Sequence, residues 1–231
     1  MSCGSGISFV QEQRMKHAQR TDWWMPGFAT VLAALAALGA PVAQADSVID
    51  EWASVKAPSP PQLQPVSIDP ASTALIVMDI TTQSCTAERR PRCVAMLPQV
   101  HKLIAEARAK GVLVLYTLAG NAKKADLIKE VAPLETEQVL SGAGPDKFVG
   151  LDLQGILKGK NIKTLITVGT AAEGAVLHTA AGAAFRGFDV VVPVDGMSSS
   201  NIYAEQYTAW HLVNAPRLGD RVKLTRIDMI K

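Results

Sequence analysis

The sequence has little excess charge, few cysteines and no nucleotide-binding motif, and each of these absences excludes a class of function. Its 231 residues include 23 Lys and Arg against 21 Asp and Glu, a formal net charge of +2. So small and evenly spread an excess argues against a nucleic-acid or lipid partner. The chain has neither a GxGxxG sequence nor a P-loop, so we expect neither a dinucleotide nor a nucleoside triphosphate, and no cofactor.

Apolar residues are abundant. They make up 48% of the chain, which excludes a disordered protein. The length predicts one globular domain with a segment attached, or two small domains.

The first 45 residues have the pattern of a secretory signal peptide. Basic residues precede the apolar stretch Phe28–Ala40, and Val42–Ala45 supplies the small residues that signal peptidase recognises. Met15 is the better start, because the residues before it add nothing to a signal. A retained membrane anchor is the alternative, since Trp23–Ala45 carries no charge, but two prolines and a glutamine shorten its apolar part. We predict cleavage after Ala45 and a periplasmic or secreted protein that has no membrane association after cleavage.

Two cysteines remain in the mature chain, Cys85 and Cys93, eight positions apart. In an oxidising compartment such a pair favours a disulfide over a metal site. Two independent buried thiols are the alternative. A reduced Cys85 would be a candidate nucleophile, because it lies in the loop after the first predicted strand.

Residues 46–70 contain five prolines and predict an extended arm that either wraps or tethers the domain of residues 71–231. Within that domain, apolar runs typical of buried parallel strands alternate with helical patterns. The predicted strands are Thr73–Asp79, Val112–Thr117, Lys163–Val168, Asp189–Val194 and Val222–Ile227, and the predicted helices are Cys93–Lys110, Asp152–Lys158, Gly174–Arg186 and Asn201–Asn214. This alternation predicts an α/β fold with a mostly parallel sheet covered on both faces.

In such sheets ligands bind at the carboxyl ends of the strands. Here those ends are Asp79, the loop Thr117–Asn121, the turn Gly169–Ala175 and Asp195. These are the places where a site is expected.

The segments ALIVMD, K-F-x-G-x-D-L, T-L-I-T-V-G-T and R-G-F-D-V-V-V-P-V-D-G, in this order, resemble the isochorismatase-like (cysteine hydrolase) superfamily. The similarity covers about Thr73–Ile227 and is most specific over Gly169–Asp195. The resemblance implies a three-layer α/β/α Rossmann-like fold. It also implies hydrolysis of a small amide or vinyl ether by an Asp–Lys–Cys triad, and a homo-oligomeric protein.

The triad is only partly matched. Asp79 corresponds to the general base of the family, whereas Ala175 stands where the family has its nucleophilic cysteine. The family lysine would fall near Gly142, and the nearest lysine is Lys147. The metal-binding cluster of nicotinamidases has no match, because Gly120–Lys124 lacks histidine, so no metal is expected.

Each candidate also has a purely structural interpretation. Asp79 could cap the strand end, and Lys147 could be a solvated loop lysine. Glu173 could replace a polar turn residue of the family or act as a first-turn acid that favours the helix dipole. The candidate catalytic residues are therefore Asp79 and Lys147, and the candidate substrate-binding residues are Thr170, Ala171, Glu173, Gly174 and Ala175.

The sequence thus predicts an exported isochorismatase-like hydrolase that acts on a small molecule through an Asp-based mechanism without cysteine. The alternative is a non-catalytic periplasmic binding or scaffold protein that uses the same pocket.

Signal-peptide cleavage is testable on exported protein. We expect N-terminal sequencing to begin at Asp46, because the small residues before it match a signal-peptidase site. Recovery of Trp23–Ala45 in a membrane fraction would contradict cleavage.

Overall fold

The computed structural model describes residues 47–231, so the predicted signal peptide lies outside the described part. Residues 48–54 form turns and belong to a first unit, whereas residues 56–231 form a second unit that contains the site.

A seven-stranded sheet forms the centre of the second unit. Its strands are β1 Thr73–Met78, β2 Leu113–Ala119, β3 Gln138–Ala143, β4 Thr164–Thr170, β5 Asp189–Pro193, β6 Met197–Ser198 and β7 Val222–Thr225. The strand order is β3-β2-β1-β4-β5-β7, with the short β6 paired to the end of β4. All of these strand pairs are parallel. Strand β1 is therefore central and has every residue buried.

Four helices cover the two faces of this sheet. They are α1 Pro91–Ala109, α2 Leu153–Gly159, α3 Leu177–Phe185 and α4 Ile202–Asn214. Along β1, Leu75 and Val77 pack in the same cluster as α1, whereas Ile76 and Met78 pack with the other three helices. This alternation places one apolar layer on each side of β1. It confirms the three-layer α/β/α fold with a mostly parallel sheet.

Three elements differ from the sequence prediction. Strand β6 was not predicted, because two residues are too few to form an apolar run. Strand β3 was not predicted, because it lies at the sheet edge and its Val139 and Leu140 are only half-buried, so it has no continuous apolar run. The helix predicted from Gly174 begins later, at Leu177. It is preceded by a π-helical turn, Ala172–Val176, in which the Val176 N–H donates to the Ala171 carbonyl. The wider turn delays the α-helical hydrogen-bond pattern.

The arm before the domain follows the last strand for part of its length. The Gln64 N–H donates to the Leu224 carbonyl, and Val66 forms a parallel bridge with Ile230. Main-chain hydrogen bonds therefore hold residues 64–68 against the end of the chain.

A disulfide between Cys85 and Cys93 closes the loop that precedes α1, with the two Cα atoms 5.3 Å apart. Residues 47–231 contain no other cysteine, so this part of the chain has no free thiol. Both bonded cysteines are buried. Within this loop the Arg90 N–H donates to the Thr86 carbonyl, and the Cys93 N–H donates to the Arg90 carbonyl. The bond makes Cys85 unavailable as a nucleophile in the oxidised protein.

Reduction should destabilise the protein. We expect the free energy of unfolding to fall by about 2–3 kcal/mol, because opening so short a loop restores chain entropy to the unfolded state. Urea denaturation with and without reductant measures this difference. The matched control is the Cys85→Ala/Cys93→Ala variant, whose stability should not respond to reductant. Alkylation of two thiols in freshly purified, unreduced protein under denaturing conditions would contradict the disulfide.

Candidate active site

Asp79 lies at the carboxyl end of the central strand. Its backbone N–H donates to the carbonyl of Thr117 on β2, which continues the sheet pairing by one residue. Its φ of 57° places it in the left-handed region, which Asp adopts more readily than most non-glycine residues. Only 7% of the residue is exposed, and this exposed part lines a pocket.

A buried ion pair joins Asp79 to Lys147. The Lys147 Nζ donates to Asp79 Oδ2 at 2.7 Å, and the Thr117 Oγ1 donates to Asp79 Oδ1 at 2.9 Å. Lys147 has no exposed surface, so its interpretation as a solvated loop lysine is wrong. Each carboxylate oxygen accepts one of these hydrogen bonds and retains a lone pair that can face the pocket.

The segment that carries Lys147 is anchored to α3. Thr179 Oγ1 accepts from the Lys147 backbone N–H at 3.2 Å and donates to the Pro145 carbonyl at 3.2 Å. Arg186 places its guanidinium 4.6 Å from the centre of the Phe148 ring. Contacts on both sides of Lys147 therefore fix the backbone from which its side chain reaches Asp79.

The turn after β4 forms another wall of the site. Gly169 has a φ of 133°, and a Cβ at this position would lie 2.1 Å from the Met78 carbonyl oxygen. Only glycine permits this close approach of β4 to the end of β1. Thr170 Oγ1 donates to the Ser198 carbonyl at 3.2 Å, which ties the turn to β6.

The pocket beside Asp79 has a volume of about 270 Å³. Its lining residues are Asp79, Thr81, Gln83, Ser84, Arg89, Arg90, Ala119, Ala122, Thr170 and Ala171. The structure therefore places Thr170 and Ala171 of the predicted substrate-binding set in the pocket wall.

The other three predicted substrate-binding residues do not line the pocket. Gly174 is half-buried, Ala175 is buried in the π-helical turn, and neither lines the pocket. Glu173 is half-buried, and its Oε2 has no hydrogen-bond partner among residues 47–231. The methyl group of Ala175 occupies the position that the resemblance assigns to a nucleophile.

Sequence reasoning missed three groups of the site. Thr117 could have been proposed from its position at the end of a predicted strand, next to Asp79 in the sheet. Arg89 and Arg90 had no comparable signal, because the segment before α1 that carries them consists of turns and has no helix or strand pattern. Arg90 Nη1 donates to the Ser84 carbonyl at 2.8 Å. Burial lowers the pKa of the Arg90 guanidinium, the charge of Arg89 lowers it further, and Glu173 opposes both effects.

A larger apolar cavity of about 490 Å³ lies elsewhere, between residues 57–63 and α4, with Tyr203, Tyr207 and Trp210 in its wall. It contains no residue of the Asp79 pocket. In the described part of the chain, no group of three or more His, Cys, Asp or Glu side chains is arranged to hold a metal ion. Among residues 47–231, none of the helices combines the length and hydrophobicity of a membrane span.

Comparison with known proteins gives two curated relatives. The chain is 27% identical to N-carbamoylsarcosine amidase of Arthrobacter over 147 residues, which is 49% of this chain and 56% of that protein. It is 30% identical to a secreted isochorismatase effector of Verticillium dahliae over 118 residues, 47% of this chain and 62% of that protein. The chain therefore spans between half and two thirds of the length of these relatives.

A solved structure supports the fold. An isochorismatase-like hydrolase from Alkaliphilus metalliredigens superposes with a TM-score of 0.61 at 21% identity, over 68% of this chain and 95% of that one. The model of the isochorismatase domain matches residues 73–220, from the first residue of β1 to just before β7. This match covers more than half of the chain, and the chain belongs to the isochorismatase domain family.

Proposed function

We propose that this protein is an exported isochorismatase-like hydrolase that acts on a small molecule through Asp79 without a cysteine nucleophile. The observation that carries this proposal is the Asp79–Lys147 ion pair beside a pocket. Residues 47–231 offer no free thiol that could act in its place. Export is supported by the signal-like N-terminus and by the similarity to the Verticillium dahliae effector, which is a secreted protein.

For an amide substrate, Asp79 would act as a general base. The carboxylate accepts a proton from a water molecule in the pocket, and the hydroxide formed attacks the carbonyl carbon. The backbone N–H groups at the start of the helical segment after Ala171 carry partial positive charge and would stabilise the developing oxyanion. The proton then passes to the leaving nitrogen as the C–N bond breaks. Lys147 stays paired with Asp79 and stabilises the negative charge of the base.

For a vinyl ether, Asp79 would act first as an acid. A proton passes from the Lys147 ammonium to Asp79 along their hydrogen bond, and the carboxyl group so formed delivers it to the terminal vinyl carbon. Water adds to the resulting cation and returns one proton to the pair through the Asp79 carboxylate. The carbon–oxygen bond then breaks to give a carbonyl compound and an alcohol. This route needs no covalent intermediate, whereas amide hydrolysis in the family uses the missing thiol. The vinyl-ether route is therefore the better match for a site with Ala175.

A second candidate function is binding without turnover. Ala175 favours it, because a methyl group cannot attack a carbonyl carbon. A homo-oligomeric state, which the resemblance implies, stays a prediction. A screen of small amides, cyclic acids and vinyl ethers with the mature protein separates hydrolysis from binding, since only a hydrolase releases product.

Replacement of Asp79 tests the mechanism. We expect Asp79→Asn to lower the hydrolysis rate found in this screen by about 10²–10⁴-fold, because the amide keeps the shape of the side chain but cannot accept the proton. Iodoacetamide should leave the rate of the oxidised wild-type protein unchanged.

The matched control is Asp220→Asn, which removes the same charge at an exposed position outside the pocket and should retain full activity. Loss of activity with iodoacetamide, together with an active Asp79→Asn variant, would overturn the mechanism and point to Cys85.

The ion pair should also be visible in stability. Either Asp79→Asn or Lys147→Met leaves one buried charge without its partner, so we expect each to lower the free energy of unfolding by about 3–5 kcal/mol. The double variant should be destabilised by less than the sum of the two single changes. Urea denaturation of the four proteins measures the coupling. Additive losses would show that the two side chains do not depend on each other.

A further inference from the structure

Two arginines face the pocket that contains Asp79. Arg89 and Arg90 both lie in its wall, on the loop that the disulfide closes. Neither makes an ion pair within hydrogen-bond distance of a carboxylate in the described part of the chain. Their neighbour Arg92, by contrast, binds Glu205 at 2.8 Å and points to α4. Arg89 and Arg90 therefore line the pocket, whereas Arg92, in the first turn of α1, does not.

Arg90 is held rigidly but keeps donor capacity. Its Nη1 binds the Ser84 carbonyl, and its backbone N–H and carbonyl bind within the loop. Its Nε is buried and has no hydrogen-bond partner within residues 47–231. The Nη2 also makes no hydrogen bond among these residues but is not a buried atom, so it is the donor that a molecule in the pocket can reach. A guanidinium offers a planar fork that matches the two oxygens of a carboxylate.

The charges around the pocket leave an excess of positive charge. Lys147 and Asp79 compensate each other at 2.7 Å. Glu173 compensates part of the charge of Arg90, and Arg89 makes no ion pair among residues 47–231. A negatively charged ligand would therefore be favoured beside the arginines. The pocket volume of about 270 Å³ limits that ligand to a small molecule.

We propose that Arg90, assisted by Arg89, binds the carboxylate of a small anionic substrate and places its hydrolysable bond over Asp79. The Cys85–Cys93 disulfide holds Arg90 in the orientation needed for this contact. The inference rests on the proposed function only in taking this pocket as the substrate site. It assigns a specificity-determining residue, Arg90, and makes its orientation depend on the disulfide.

Binding of matched acids and amides tests the substrate class. Titrations of the mature ¹⁵N-labelled protein, followed by NMR, would compare succinamate with succinamide and benzoate with benzamide. We expect each acid to bind about 10- to 100-fold more tightly than its amide, with shifts at the pocket residues. Equal affinities in both pairs, or shifts only outside the pocket, would overturn the proposal.

Variants at position 90 assign the preference to its side chain. Arg90→Gln should abolish the preference for the acid, and Arg90→Lys should retain part of it, because lysine keeps the charge but not the fork. The control Lys160→Gln removes one positive charge at an exposed position outside the pocket and should keep the full preference. An acid preference that survives in Arg90→Gln would also overturn the proposal.

Reduction tests the role of the disulfide. In wild-type protein we expect reductant to weaken acid binding by about tenfold while amide binding changes little, whereas Arg90→Gln should show no such effect. An acid preference unchanged by reduction would contradict the positioning role. These measurements need no turnover: a protein that binds acids through Arg90 but hydrolyses none of them supports this inference while contradicting the proposed function.

Discussion

The ion pair between Asp79 and Lys147 is the interaction on which the site depends. Two charges removed from water cost several kcal/mol each unless they compensate each other at short distance. Here the distance is 2.7 Å, and Thr117 satisfies the second carboxylate oxygen. The pair joins residues 68 positions apart in the chain. It therefore requires β1, β2 and the segment held by Thr179 to be in register at the same time.

Several features around the pair follow from this requirement. Asp79 leaves the strand in the left-handed region, and Gly169 lets β4 approach the end of β1 without a side chain between them. Thr179 fixes the backbone of Lys147 through hydrogen bonds on α3. The carboxylate thus lies in the pocket wall, paired with a lysine that has no exposed surface. A carboxylate placed in this way suits proton transfer with water or substrate.

The sequence predicted the central strands well, because continuous apolar runs mark buried parallel strands. It led to Asp79 as a candidate, because ligands bind at the carboxyl ends of such strands. Lys147 was a candidate only through the family resemblance. Its burial was not evident, since its partner is distant in sequence and its neighbours look like a loop. Strand β3 was missed because an edge strand needs no apolar run. The direction of Arg90 depends on the disulfide-closed loop, and local sequence pattern carries no information about it.

The central claim is that water performs the hydrolysis without a covalent intermediate, with Asp79 as the group that transfers the proton. A single turnover in H₂¹⁸O, with enzyme in excess over the substrate identified by the hydrolysis screen, tests this directly by mass spectrometry of the product and of the peptide that contains Asp79. We predict one ¹⁸O atom in the product and none in the peptide. Unlabelled product together with ¹⁸O in the Asp79 peptide, or a covalent adduct on the protein, would contradict the claim.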